Sequence, residues 1–176
     1  MPGKTPYEAV EAYSEPIRQT LRCVTDSFIA CGGGVYPTGK TNTLTFVNET
    51  IAPLRGTKLG LHFSQRYNFL QDSKAAQLWR IQTRGYIYTV YDCREEEPAE
   101  IFAYHWHPQV SVATPHVHFK RGEPRITRAH LPTGRISIES LAEFLIRDMG
   151  VKPGHPDWEA IIAQNRELFE QYRSWA

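Results

Sequence analysis

Residues 104–108 read Tyr-His-Trp-His-Pro and residues 114–119 read Thr-Pro-His-Val-His-Phe, so four of the chain's seven histidines fall within fourteen positions. Seven histidines scattered over 176 residues would put fewer than one in such a window. Each pair is H-x-H, and on a strand residues two apart point to the same side. His105 and His107 therefore share a face, as do His116 and His118. If the two segments form an antiparallel hairpin, the expected pairing sets His105 opposite His118 and His107 opposite His116, with opposed Cβ atoms about 4.5–5.5 Å apart. Phe102, Tyr104 and Trp106 on one strand, and Val117 and Phe119 on the other, occupy the reverse face and read as core. The imidazoles thus look away from the main core.

Four gathered imidazoles support two chemistries. Neutral rings are frequent ligands of zinc and other divalent transition metals, and H-x-H on a strand is a workable ligand pair, so His105, His107, His116 and His118 form a candidate metal set. Alternatively, no metal is needed. Histidine titrates near neutrality, so one ring can act as general base toward a ribose 2′-hydroxyl and another as general acid toward the leaving 5′-oxygen. Such a reaction also needs cations on the phosphate. Residues 101–135 carry Lys120, Arg121, Arg125, Arg128 and Arg135 against the single acid Glu123, a local charge of +4 in a chain whose total is +1. These five are candidate phosphate or RNA ligands. Tyr104 and His130 are candidate assistants. A third possibility is a non-catalytic module whose hairpin binds a protein or nucleic acid.

His-Trp-His-Pro108, a six-residue spacer, Pro115-His-Val-His and the basic stretch that follows resemble the histidine-rich core of TumE-type toxins of bacterial type II toxin–antitoxin systems. The resemblance covers about residues 80–150. His107 and Pro108 match the end of the family's first element; Pro115, His116 and His118 match most of its second. The family's Arg-Tyr-Asp-Asn lead-in is absent, with only Tyr104 retained. The resemblance implies a ribonuclease without a cofactor, RNA as substrate and an antitoxin as partner. His107, His116 and His118, the matched histidines, would then be catalytic, and the acid–base reading of the spacing adds His105.

The elements that must position these residues follow from periodicity. Apolar residues from Val10 to Phe28 recur at steps of three and four, which predicts a helix over 6–29 with Pro16 inside it. Strands are expected at 43–48, 58–64, 78–84, 86–92, 100–107 and 116–120, with Gly85 marking a turn or bulge. Two helices follow. One is capped by Ser137 or Ser140 and closed by Gly150; the other starts near Pro156. One domain over 1–176 results, of α+β class: a helical segment (1–31), an antiparallel sheet of about six strands (43–120) and C-terminal helices (137–176) packed against it. Gly34–Thr41 matches G-x-x-x-x-G-K-T, but a helical pattern precedes it and a strand follows, the reverse of a phosphate-loop context, so an ordinary linker is expected. Cys23, Cys31 and Cys93 form no framework and read as reduced thiols. Near-neutral charge excludes a basic nucleic-acid coat. The absence of an apolar run long enough for a membrane span, and of a leader-like start, predicts a cytoplasmic protein.

Overall fold

The computed structural model describes residues 2–32, 40–71, 78–108 and 112–172. The Gly34–Thr41 motif falls largely outside them. Helix α1 (Pro6–Arg22) begins at Thr5, whose hydroxyl accepts from the Glu8 N–H at 3.1 Å. It runs through Pro16 without dividing. The helix expected to Ile29 ends seven residues earlier: Phe28 is 64% exposed and Ile29 opens a strand. The apolar stripe continued past the helix end because Val24 is buried in the turn that follows.

The strands are β1 (Ile29–Gly32), β2 (Asn42–Phe46), β3 (Ala52–Pro53), β4 (Leu59–Gln71), β5 (Trp79–Asp92), β6 (Ala99–Trp106) and β7 (His116–Phe119). A short turn, α2 (Pro124–Thr127), leads to β8 (Leu131–Pro132). All pair antiparallel in one sheet ordered β1-β2-β4-β5-β6-β7-β8, with β3 also on β4. Helices α3 (Ile138–Arg147) and α4 (Trp158–Tyr172) complete the chain. Ser137 caps α3, accepting from the Ser140 N–H at 3.2 Å. Gly150 follows the cap two residues later at φ +75°, a conformation glycine adopts without strain. The expected α+β class and the placement of its helices hold; β1, β3 and β8 are additional strands.

Two expected strands flanking Gly85 are one strand, β5, carrying a bulge. Arg66 faces Gly85 while Tyr67 faces Thr83, which leaves Arg84 as the extra residue. The bulge reverses the alternation. Ile81 and Thr83 line the core side before it, and Tyr86 and Tyr88 do so after it. The core lies between this face and the helices. Phe63 stacks on Tyr88 at 5.4 Å, Tyr13 of α1 meets Tyr67 at 5.6 Å, and Phe144 of α3 meets Phe102 edge-on at 5.9 Å. Leu61, Phe63, Val90, Leu141 and Leu145 are fully or almost fully buried there.

Candidate functional site

The reverse face of the sheet carries the histidines. In β6 and β7 the observed register pairs His105 with His116 and Ala103 with His118. The expected pairing of His105 with His118 is therefore corrected by one step of two residues. Packing on the other face decides it. The observed register sets Phe102 against Phe119 and Tyr104 against Val117. The expected one would have set Phe102 against Arg121 on the core side. Because the step is two residues, every histidine keeps its face.

The β7–β8 pairing adds a fifth ring. His116 faces Pro132 and Val117 faces Leu131, so the same register carries His130 opposite His118. Ring centroids are 5.7 Å apart for His105–His116, 4.8 Å for His105–His118, 4.8 Å for His116–His118, 4.9 Å for His116–His130 and 4.3 Å for His118–His130. Ala103 has only a methyl group between His105 and His118 in this layer, which lets those two rings converge. His107 lies one residue past β6, 5.4 Å from His105. It stands at the border of the cluster, its Nδ1 3.1 Å from an Arg66 guanidinium nitrogen. Five of the six candidates for catalysis are thus together. The sixth, Tyr104, is not among them: it lies on the core face that alternation gave it, where it packs edge-on against Phe102 at 5.7 Å.

His116 is the most deeply placed ring, 3% exposed. Its Nδ1 is 2.8 Å from the Thr114 carbonyl oxygen. A carbonyl only accepts, so Nδ1 donates to it and Nε2 is the ring nitrogen left for a ligand. The Pro115 carbonyl in turn accepts the Thr133 N–H at 2.9 Å and ties β8 to this corner. One ligand nitrogen from each of His105, His116 and His118 lies within 4.8 Å of the other two. Tetrahedral coordination at about 2.0–2.1 Å needs nitrogens about 3.3 Å apart, so closure by roughly 1.5 Å at most assembles a three-histidine centre. Among the described residues this donor set is entirely imidazole.

Burial, followed by repulsion from the neighbouring rings, pushes His105 and His118 down to about 4, so both are neutral at pH 7. His107 is also lowered, by burial and then by Arg66. Lys120 adds to the downward pressure on His105 and His118 and so lies within electrostatic reach of the cluster. The other expected phosphate ligands are dispersed. Arg121 bonds Asp92 at 3.0 Å, five residues along β5 from the Ile87 that faces His105, or roughly 16 Å away. Arg125, 94% exposed, pairs with Glu123 at 3.2 Å. Arg128 caps the end of α2 and is exposed. Arg135 lies on the core side, 3.5 Å over the Trp106 ring. Of the basic stretch, Lys120 stays with the imidazoles, while Arg121 and Arg135 are removed by their own partners.

Arg66 is a site residue that spacing alone did not single out. It reaches His107 because Gly85 faces it across the ladder; a Cβ there would stand 3.1 Å from the guanidinium and 2.7 Å from the Trp106 carbonyl. The signal in the sequence was that glycine inside a strand pattern. The three cysteines are free thiols. No described helix is long and apolar enough to cross a membrane. No family model, curated protein or solved structure matches the chain.

Proposed function

We propose that the histidine face is a metal-dependent hydrolytic centre for phosphate esters, with RNA as substrate, in which His105, His116 and His118 hold one divalent transition metal such as zinc. The observation that carries this reading is the convergence of three ring nitrogens within 4.8 Å on paired strands. The Thr114 carbonyl acts as the outer partner that typically orients a ligating imidazole. Three protein ligands and an open side are the composition of catalytic rather than structural zinc sites. The ion would supply Lewis-acid polarisation of a phosphoryl oxygen. His130 stands exposed beside His118, on the open side of the three rings. Arg66 and Lys120 supply positive charge for the phosphate backbone. RNA as substrate, an antitoxin that blocks this face, and a cytoplasmic setting are what the TumE-type resemblance adds.

Metal-free acid–base cleavage of RNA by the same rings is the second reading, and the Arg66–His107 pair favours it, since it joins an imidazole to a phosphate-binding cation. The neutral state of His105 and His118 suits either of them to the base role. Metal analysis of the purified chain, with RNA cleavage measured before and after chelation, separates the readings. One equivalent of metal, lost in His116→Ala, and cleavage abolished by EDTA and restored by zinc are expected. A metal-free chain whose cleavage resists EDTA would replace the first reading with the second. A protein that neither binds metal nor cleaves RNA would refute both.

A further inference from the structure

Ile81 and Thr83 line the core side of β5 before its bulge, so alternation puts Arg80, Gln82 and Arg84 on the histidine face. Arg84 Nη1 donates to Gln82 Oε1 at 3.2 Å, two residues away on the same side. On the neighbouring β4, Gln65, Tyr67 and Phe69 are buried on the core side, and Arg66 and Asn68 alternate with them. Across the ladder Asn68 faces Gln82, and Arg66 faces Gly85, the residue after Arg84. Arg80, Arg84 and Arg66 thus form one row that ends at His107, whose Nδ1 lies 3.1 Å from Arg66. Arg66 and Arg84 are half-buried and Arg80 is exposed. Acids are kept away from this row. Among the described residues the strands contain only two, Asp92 and Glu100, in a chain that has nineteen. Asp92 pairs with Leu59 at the opposite end of β5 from Arg80, where Arg94 and Arg121 engage it. Glu100 faces Tyr91 at that same far end.

We propose that single-stranded RNA lies along this row, its phosphates on Arg66, Arg84 and Arg80, so that the histidines act at one end of a bound segment. The proposal rests on the reading of the histidine face as a phosphate-ester centre and adds an extended binding site to it. From Ile87, which faces His105, to Arg80 is seven residues of β5, or roughly 23 Å. A stacked strand advances about 3.4 Å per nucleotide, so at most about seven nucleotides cover the row. A single strand can follow a straight row. In a duplex each backbone winds once about the axis in about 34–36 Å, so over the same span it turns roughly two-thirds of a circle away from the sheet. Guanidinium forks match phosphate oxygens and carry five donors each. The row consists of arginines and amides, so it holds the backbone and is indifferent to base sequence. Cations alone would also suit an acidic peptide; a row that runs into imidazoles favours a phosphodiester chain.

Fluorescence anisotropy of the full chain with 2′-O-methyl oligouridines, which lack the 2′-hydroxyl nucleophile, tests the row. Affinity is expected to rise at least about tenfold from three to nine nucleotides and less than about fivefold from nine to fifteen, because length beyond the row adds only further registers. Arg80→Met combined with Arg84→Met should weaken the nonanucleotide about 2–30-fold, the range two exposed ion pairs allow, and lower its salt slope by about 1.4. If the double variant does not fold, each single variant should lower the slope by about 0.7. The zinc-induced rise in Tm should keep its wild-type size in these variants. If zinc raises Tm in none of the proteins, the metal reading fails, and the length series still decides the row. Affinity independent of length, an unchanged salt slope in the variants, or tighter binding of a nine-base-pair duplex would overturn the proposal. Equal binding of an oligoglutamate of the same length would overturn it too, and would assign the row to an acidic protein.

Discussion

Replacing His116 by alanine is the sharpest probe of the histidine face. Four-ligand structural zinc sites supply about 10–16 kcal/mol, or roughly 2.5–4 kcal/mol per ligand. Removing one of three rings should therefore weaken zinc by about 10²–10³-fold. At free zinc one hundred times Kd, the wild-type chain gains about 2.7 kcal/mol of stability, which raises Tm by roughly 5–11 °C in a protein of this size. At the same zinc concentration the variant gains about 0.4 kcal/mol or less, a shift under roughly 2 °C. The variant also loses the hydrogen bond to the exposed Thr114 carbonyl, worth about 1 kcal/mol, so each protein is compared with its own metal-free state. Differential scanning fluorimetry with and without zinc, supported by metal analysis, reads both quantities. His107→Ala, outside the converging triad, should keep most of the wild-type shift. A wild-type Tm indifferent to zinc, or a full shift in His116→Ala, would refute the reasoning.

Four further outcomes are expected. Arg66→Met should weaken single-stranded RNA binding and lower the salt slope by about one charge; fluorescence anisotropy at several salt concentrations that gives parallel lines would contradict a phosphate role. Gly85→Ala should destabilise by about 1–3 kcal/mol in urea unfolding, because its Cβ meets the Trp106 carbonyl at 2.7 Å, and it should displace Arg66 from His107, visible in the His107 NMR signals. Phe63→Ala removes a fully buried ring stacked on Tyr88 and should lower stability by about 3–5 kcal/mol; a loss below about 1 kcal/mol would show that the stack does not carry the core. Asp92 is held far below the usual carboxylate range by hydrogen bonds from Arg94, with Arg121 adding to them, so its contribution is present above its unfolded pKa and disappears as pH falls through the folded value. Asp92→Asn should flatten the acid limb of a Tm-against-pH profile, and an unchanged limb would exclude this pair as its source.

The face of each histidine was legible in the H-x-H spacing, because a strand alternates strictly and Phe102, Trp106, Val117 and Phe119 claimed the opposite side. A serine cap at the start of α3, at 137 or 140, and the strand–helix order were legible for the same local reasons: a hydroxyl that satisfies a helix's open N–H groups, and a hydrophobic period that changes from two to about four. The single strand through Gly85 was half legible. Glycine announced an irregularity, but only the partner strand decided between a turn and a bulge.

What chain order could not supply was which residues meet across the sheet. The register of β6 on β7 rests on pairing Phe102 with Phe119 and keeping Arg121 off the core. The arrival of His130 rests on β8 pairing with β7, through strands too short to carry a periodic signal. Arg66 comes from a strand two positions away in the sheet. Arg121 and Arg135 left the imidazoles because Asp92 and Trp106 offered nearer partners. Alternation along one strand is a property of the backbone and is written locally. Contacts between strands depend on packing summed over both faces, which exists only once the chain has folded.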